Sequence, residues 1–278
     1  MSLSPFIRCP HFQTHFPFLL PILLTCSNLQ SPTVEALLTL KRSLIDPMDN
    51  LKNWNNGDPC TTNWTGVVCS VFDGAVGNLR VKELNFMWNN LTGLIPKEIG
   101  SMRPLKLLLL NGNKFSGPLP DELGNLTNLK RFQIDENQIS GHIPKSYANL
   151  THVKHLHFNN NTLSGEIPSE LSRLHNLLHL LLDNNNLSGS LPPEFSSLPK
   201  LSILQLDNNN LEGEIPASYE EFSTLVKLSL RNCSLEGPIP NFSKIANLSY
   251  LDLSWNHFTG PIPPYNLSSN MTTMYVND

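Results

Sequence analysis

Leu177-Leu178-His179-Leu180-Leu181-Leu182-Asp183-Asn184-Asn185-Asn186-Leu187-Ser188-Gly189-Ser190-Leu191-Pro192 decides the architecture. Leucines fall at positions one, four, six, eleven and fifteen of this stretch, with Asn at nine, Gly at thirteen and Pro at sixteen. The pattern L-x-x-L-x-L-x-x-N-x-L-x-G-x-I/L-P restarts at Val81, Leu105, Leu129, Val153, Leu201, Leu225 and Leu248, every 24 residues and once after 23. A fixed period of this size marks a repeat array in which each unit buries its apolar face only against its neighbours.

Each position has a physical role. Leu204 and Leu206, two residues apart, have strand periodicity and point to one face, while Leu201 and Leu211 complete the packing. The position-nine Asn turns the chain out of the strand, and its amide can both donate to and accept from backbone groups left unpaired there. The series is Asn89, Asn113, Asn137, Asn161, Asn185, Asn209 and Asn256, with Cys233 taking the place in the seventh repeat. Cys233 is expected to be a buried ladder residue and not a redox sensor. Gly at thirteen suits a tight turn, and Pro at sixteen ends strand pairing.

Bulk composition agrees. Charged residues make up 15% of the 278 residues, with a formal net charge of −4 and no basic stripe, so nucleic acid is not an expected partner. Residues 1–28 have Arg8 before the apolar run Phe16–Leu24 and then Thr25, Cys26 and Ser27, the layout of a cleaved secretory signal. The run is too short to span the roughly 30 Å of a bilayer core. In an oxidising compartment Cys60 and Cys69, which bracket Trp64, are expected to pair, while Cys9 and Cys26 leave with the signal or lie at its border.

The Gly-x-Ile-Pro segments at 165–168, 213–216, 237–240 and 260–263 resemble the plant-specific class of leucine-rich repeats. That resemblance implies an α/β repeat solenoid: a right-handed superhelix with a parallel concave sheet, a second short sheet formed by this segment, and an N-terminal helical cap. Residues 29–80 look like that cap, with helical periodicity over Val34–Lys41 and then Trp54, Asp58-Pro59-Cys60, Trp64, Gly66-Val67 and Cys69. This arrangement is similar to the ectodomains of plant leucine-rich-repeat receptor-like kinases, and the spacing around Val76-Gly77-Asn78-Leu79 looks like their subgroup VIII. Residues 81–278 then hold eight full repeats and a partial ninth, with Met271, Met274 and Val276 at its positions one, four and six. The chain is expected to be a truncated piece of a longer receptor, its membrane span and kinase lying beyond residue 278.

No kinase, nucleotide-binding, Gly-x-Ser-x-Gly or His-Glu-x-x-His motif is present, so no enzyme activity, cofactor or metal is assigned to these residues. The expected function is binding on a curved face. Strands spaced about 4.8 Å apart over eight repeats give a strip roughly 35–40 Å long. Its candidate ligand-binding residues are Trp88, Leu107, Leu109, Arg131, His155, His157, His179, Leu181, Ile203, Arg231 and Trp255. Leu107, Leu109, Leu181 and Ile203 are apolar where the inward pattern does not require it, which points to a partner or to ordinary surface leucines. His155, His157 and His179 are expected to be neighbours. Their titration near pH 6 would tune binding, and strand-face spacing is no specific metal signature.

The resemblance implies an extracellular peptide or protein ligand, a leucine-rich-repeat co-receptor, and a place on the secretory pathway and the outer face of the plasma membrane. The rival is a secreted inhibitor of a cell-wall hydrolase, similar to polygalacturonase-inhibiting proteins. Asn63, Asn90, Asn125, Asn149, Asn186 and Asn247 each open an Asn-x-Ser/Thr sequon, a glycan site in a secreted protein, although such sequons also fall by chance out of an Asn-rich repeat.

Overall fold

The computed structural model describes residues 32–55, 57–71, 79–262 and 270–276. The expected signal at 1–28 and the whole segment 72–78 before the first repeat, with Val76, Gly77 and Asn78 of the spacing likened to subgroup VIII, lie outside these residues. Among the described residues, no helix is long and apolar enough to cross a membrane.

The repeats stack into a solenoid with two sheets. Nine strands in parallel register run from Leu79–Asn85 through Leu107–Leu109, Arg131–Gln133, His155–His157, His179–Leu181, Ile203–Gln205, Lys227–Ser229 and Tyr250–Asp252 to Thr273–Tyr275. The register is in phase: His179 pairs with both His155 and Ile203, and Leu180 with both Leu156 and Leu204. One continuous core follows, in which Leu108, Phe132, Leu156, Leu180, Leu204, Leu228 and Leu251 are fully buried or nearly so.

A second sheet lies beside the first. Its strands, such as Lys114–Pro118, Thr162–Glu166 and Asn210–Glu214, cover positions ten to fourteen. The sequence placed this sheet on the Gly-x-Ile-Pro segment. The strands instead end before the Ile-Pro pair, because that Ile is buried, as Ile143, Ile167 and Ile215 are, and the Pro opens a short 3-10 helix. These one-turn helices, from Lys97–Ser101 to Phe242–Lys244, form the outer face. Pro supplies extended backbone just before six of them. Among the described residues, the only α-helix is Pro32–Ser43.

The cap closes the start of both sheets. Val67–Val71 pairs antiparallel with Leu79–Asn85, and Leu44–Ile45 pairs antiparallel with Thr92–Leu94, so neither sheet opens on a free parallel edge. Cys60 and Cys69 form the expected disulfide. Trp54 is fully buried, stacks on Trp64 with centroids 5.2 Å apart, and donates Nε1–H to the Thr65 carbonyl at 2.9 Å.

The ladder works as its chemistry requires. Asn113 Nδ2 donates to the carbonyls of Phe86 (2.7 Å) and Leu110 (3.0 Å), while its Oδ1 accepts from Leu91 N–H (3.1 Å), so one amide ties two repeats together. Asn89 has no preceding repeat, and Asn50 of the cap donates to its Oδ1 at 2.7 Å. Cys233 fills the seventh place with Sγ 3.6 Å from the Leu206 carbonyl, and burial pushes its thiol up to about 11. Cys233→Asn should therefore raise stability by about 1 kcal/mol, since an amide donates and accepts more strongly at a site its neighbours Asn209 and Asn256 already fill. Urea unfolding would measure this, and no gain would mean that the seventh turn is shaped for sulfur.

Candidate functional site

The inner sheet presents three rows of side chains. The position-three row runs Leu107, Arg131, His155, His179 and Ile203 in direct register, and the position-five row runs Leu109, Gln133, His157 and Leu181. Most of the candidate residues thus meet on one strip. Leu107, Leu181 and Ile203 are half-buried and Arg131 is exposed. Leu109 is a correction: it is buried, flanked in register by Asn85 and Gln133 and followed two residues on by the buried Asn111, and offers no contact surface. Arg231 is exposed in the seventh repeat, away from the histidines.

Trp88 and Trp255 lie in the first and eighth repeats, so they bound the strip and do not join it. They are 66% and 59% exposed, with φ of 55° and 60°. Position eight has positive φ in each of the eight full repeats, and the other occupants are Gly112, Glu136, Asn160, Asn184, Asn208 and Asn232. Gly and Asn tolerate this backbone, whereas a bulky residue there is strained. Gly112 leaves room for the Trp88 ring, which a Cβ on it would meet at 2.5 Å.

Position eight also carries a second amide ladder that the candidate list did not include. Asn232 Nδ2 donates to Asn208 Oδ1, and Asn208 Nδ2 to Asn184 Oδ1, both at 2.8 Å. The recurrence of Asn-Asn at a 24-residue spacing was its signal in the sequence.

The three histidines do converge. His155 and His179 stand with ring centroids 4.5 Å apart and Nδ1 atoms 3.1 Å apart. The His157 ring lies parallel to that of His179 at 5.8 Å, and its Nδ1 is 2.7 Å from Gln133 Nε2. Burial, followed by the charge that neighbouring histidines and Arg131 would add, pulls His155 and His157 down to about 4; burial and Arg131 lower His179. Titration near pH 6 is thereby corrected: His155 and His157 are neutral there. Stability from these depressed groups is present above the unfolded value of 6.5 and is lost as pH falls through about 4.

Position seven brings buried polar groups to the same face. Asp207 Oδ1 accepts from Ser229 Oγ and from Arg231 N–H, so it is satisfied. Asn111 Oδ1, Asp135 Oδ1, Asp183 Oδ1 and His157 Nε2 are buried with no hydrogen-bond partner within the chain, and four of the five such atoms among the described residues are therefore on this face. Burial raises Asp135 and Asp183 to about 6, and for Asp183 the Asp207 carboxylate adds to it. A carboxyl raised in the native state costs stability as pH climbs from 3.8 through about 6. Asp183→Asn removes that cost. The variant should be on the order of 1–3 kcal/mol more stable at pH 7, with the advantage fading by about pH 4. Melting curves across pH would show it, and a pH-independent difference would contradict it.

Of the sequon residues, Asn63, Asn125, Asn149, Asn186 and Asn247 are exposed and Asn90 is half-buried.

Comparison with known proteins agrees with this architecture. The leucine rich repeat N-terminal domain matches residues 32–70. The leucine rich repeat matches 80–102, 104–126, 152–174, 176–198, 200–222, 224–244 and 247–270. The segment 127–151 falls outside those matches, yet its strand Arg131–Gln133 continues the register. A leucine-rich repeat receptor-like serine/threonine-protein kinase of Arabidopsis thaliana is 58% identical over 75 residues, 27% of this chain and 8% of the relative. The matched segments span 8% and 9% of the first two curated relatives, so the chain is similar to a small part of each. Among solved structures, PEPR1–AtPEP1 superposes with a TM-score of 0.76 at 28% identity, covering 88% of this chain and 41% of that one. The Arabidopsis receptor kinase HAESA, in complex with the peptide hormone IDA and the co-receptor SERK1, gives 0.64 at 29%, covering 83% and 42%.

Proposed function

The chain belongs to the leucine-rich repeat family, and from that premise we propose that its concave face binds an extracellular peptide or protein as part of a receptor-like kinase ectodomain. The observation that carries this reading is the set of buried polar atoms on that face that the chain itself does not pair, at Asn111, Asp135, His157 and Asp183. Native proteins leave few such atoms, and each calls for an explanation. A ligand's N–H groups or a cation would answer the acceptors, and half-buried Leu181 and Ile203 beside them would take an apolar side chain. The similar structure of HAESA in complex with a peptide hormone supports the ligand class.

In the same reading residues 1–28 direct secretion, the exposed sequons carry glycans, a co-receptor joins the ligand-bound face, and a kinase lies elsewhere in the full receptor. The test is selection of displayed peptides on the full chain. Enriched peptides should lose about 30-fold or more in affinity to Ile203→Glu and Leu181→Glu. Failure to enrich any, or binding that ignores both substitutions, would overturn the proposal.

A further inference from the structure

His155, His157 and His179 are, among the described residues, the one group of three side chains with metal-ligating atoms close together: one such atom from each lies within 4.8 Å of those of the other two. All three stand on hydrogen-bonded strands in exact register, not on a loop. Two imidazole nitrogens bound to one tetrahedral ion at 2.0–2.1 Å are roughly 3.3 Å apart, and the His155 and His179 Nδ1 atoms are already at 3.1 Å. Closing the third to that separation calls for rotation of half-buried side chains on strands already in register.

A hydrogen bond between two neutral rings also explains the 3.1 Å contact, one Nδ1 donating and the other accepting. It does not explain His157, whose Nε2 is buried without a partner while Nδ1 faces Gln133. A metal-bound imidazole uses one nitrogen as ligand and is held through the other by an outer partner. Turning the Gln133 amide by half a rotation lets its Oε1 accept the Nδ1 proton and frees Nε2 as a lone pair.

We propose that His155, His157 and His179 bind a transition-metal cation of the zinc and copper class on the concave face, with Gln133 positioning the His157 ring. Three imidazoles suit these borderline ions, whereas calcium and magnesium need oxygen ligands. Arg131, in register beside His155, and Lys154 are the cations that oppose the bound charge. The site stands independently of any peptide ligand.

The test is a titration of the metal-stripped full chain with Zn²⁺ by calorimetry and with Co²⁺ by visible absorption, with no peptide present. One equivalent should bind saturably, and Co²⁺ should give the intense bands of a low-coordinate site. His179→Ala and His155→Gln should each weaken Zn²⁺ at least about 100-fold, and Gln133→Leu about 10–100-fold, with melting temperatures unchanged. Arg131→Gln should tighten it several-fold. Absence of saturable binding in the unsubstituted chain would overturn the proposal, and that readout needs no variant. So would binding that survives the histidine substitutions, which would place the ion on outlying histidines such as His142 or His152, or displacement by equimolar Mg²⁺.

Discussion

Asn161→Ala is expected to cost about 3 kcal/mol of unfolding free energy. The amide donates to the carbonyls of Ile134 (3.0 Å), Phe158 (3.1 Å) and Asn159 (3.2 Å), and accepts from Ile139 N–H at 3.0 Å. Ile134 and Ile139 belong to the third repeat and Phe158 to the fourth, so one side chain closes both turns. Each net hydrogen bond contributes on the order of 1 kcal/mol, and a buried group left unsatisfied costs about 1–3. Truncation at this site removes several of the first kind and creates at least one of the second. Asn210→Ala is the contrast: its exposed amide donates to Asn186 Oδ1 at 2.7 Å from ordinary strand backbone, and a loss below about 1 kcal/mol is expected. Urea midpoints of the two variants measure the difference. Equal losses would mean that the buried ladder does not hold the repeats together.

Trp54→Ala is expected to cost about 3–5 kcal/mol, the range for deleting a fully buried aromatic side chain. Trp54 touches Trp64 and Phe86 with centroids 5.2 Å and 5.5 Å away, and so links the cap to the first repeat. In an array where each repeat contacts only its neighbours, loss of the cap acts locally. The first repeats should open before the rest, and proteolysis should speed up around residues 79–110 while the strands after 200 keep their protection. Uniform loss of protection along the chain would show that the array unfolds as one unit, contrary to this picture.

The repeat was legible because every core position recurs, so one misjudged residue is outvoted by seven others. Asn113 and Asn161 could be placed in a ladder, and Cys233 assigned to the same place, from spacing alone. What spacing does not carry is the height of a side chain among its neighbours. Leu109 and Leu181 occupy the same repeat position, yet the first is buried and the second half-buried. Likewise the three histidines could be placed together, but their displacement below pH 6 comes from burial, which depends on the rings beside them. The amide ladder at position eight, unlike Trp88 and Trp255 at its two ends, was missed for a different reason. The requirement at that position is a backbone conformation, φ near 55°, which Asn, Gly, Glu and Trp all satisfy here without sharing any side-chain chemistry.

The central claim is that ligands engage the inner sheet. The most direct measurement compares affinity for a selected peptide across two sets of substitutions: Leu107→Glu, Leu181→Glu and Ile203→Glu on the inner face, and Lys145→Glu and Glu194→Lys on the outer 3-10 helices. The inner set should weaken binding about 30-fold or more, the scale of an interface hot spot, while the outer set leaves it within about twofold. The reverse pattern, loss from the outer helices with the inner face indifferent, would contradict the account.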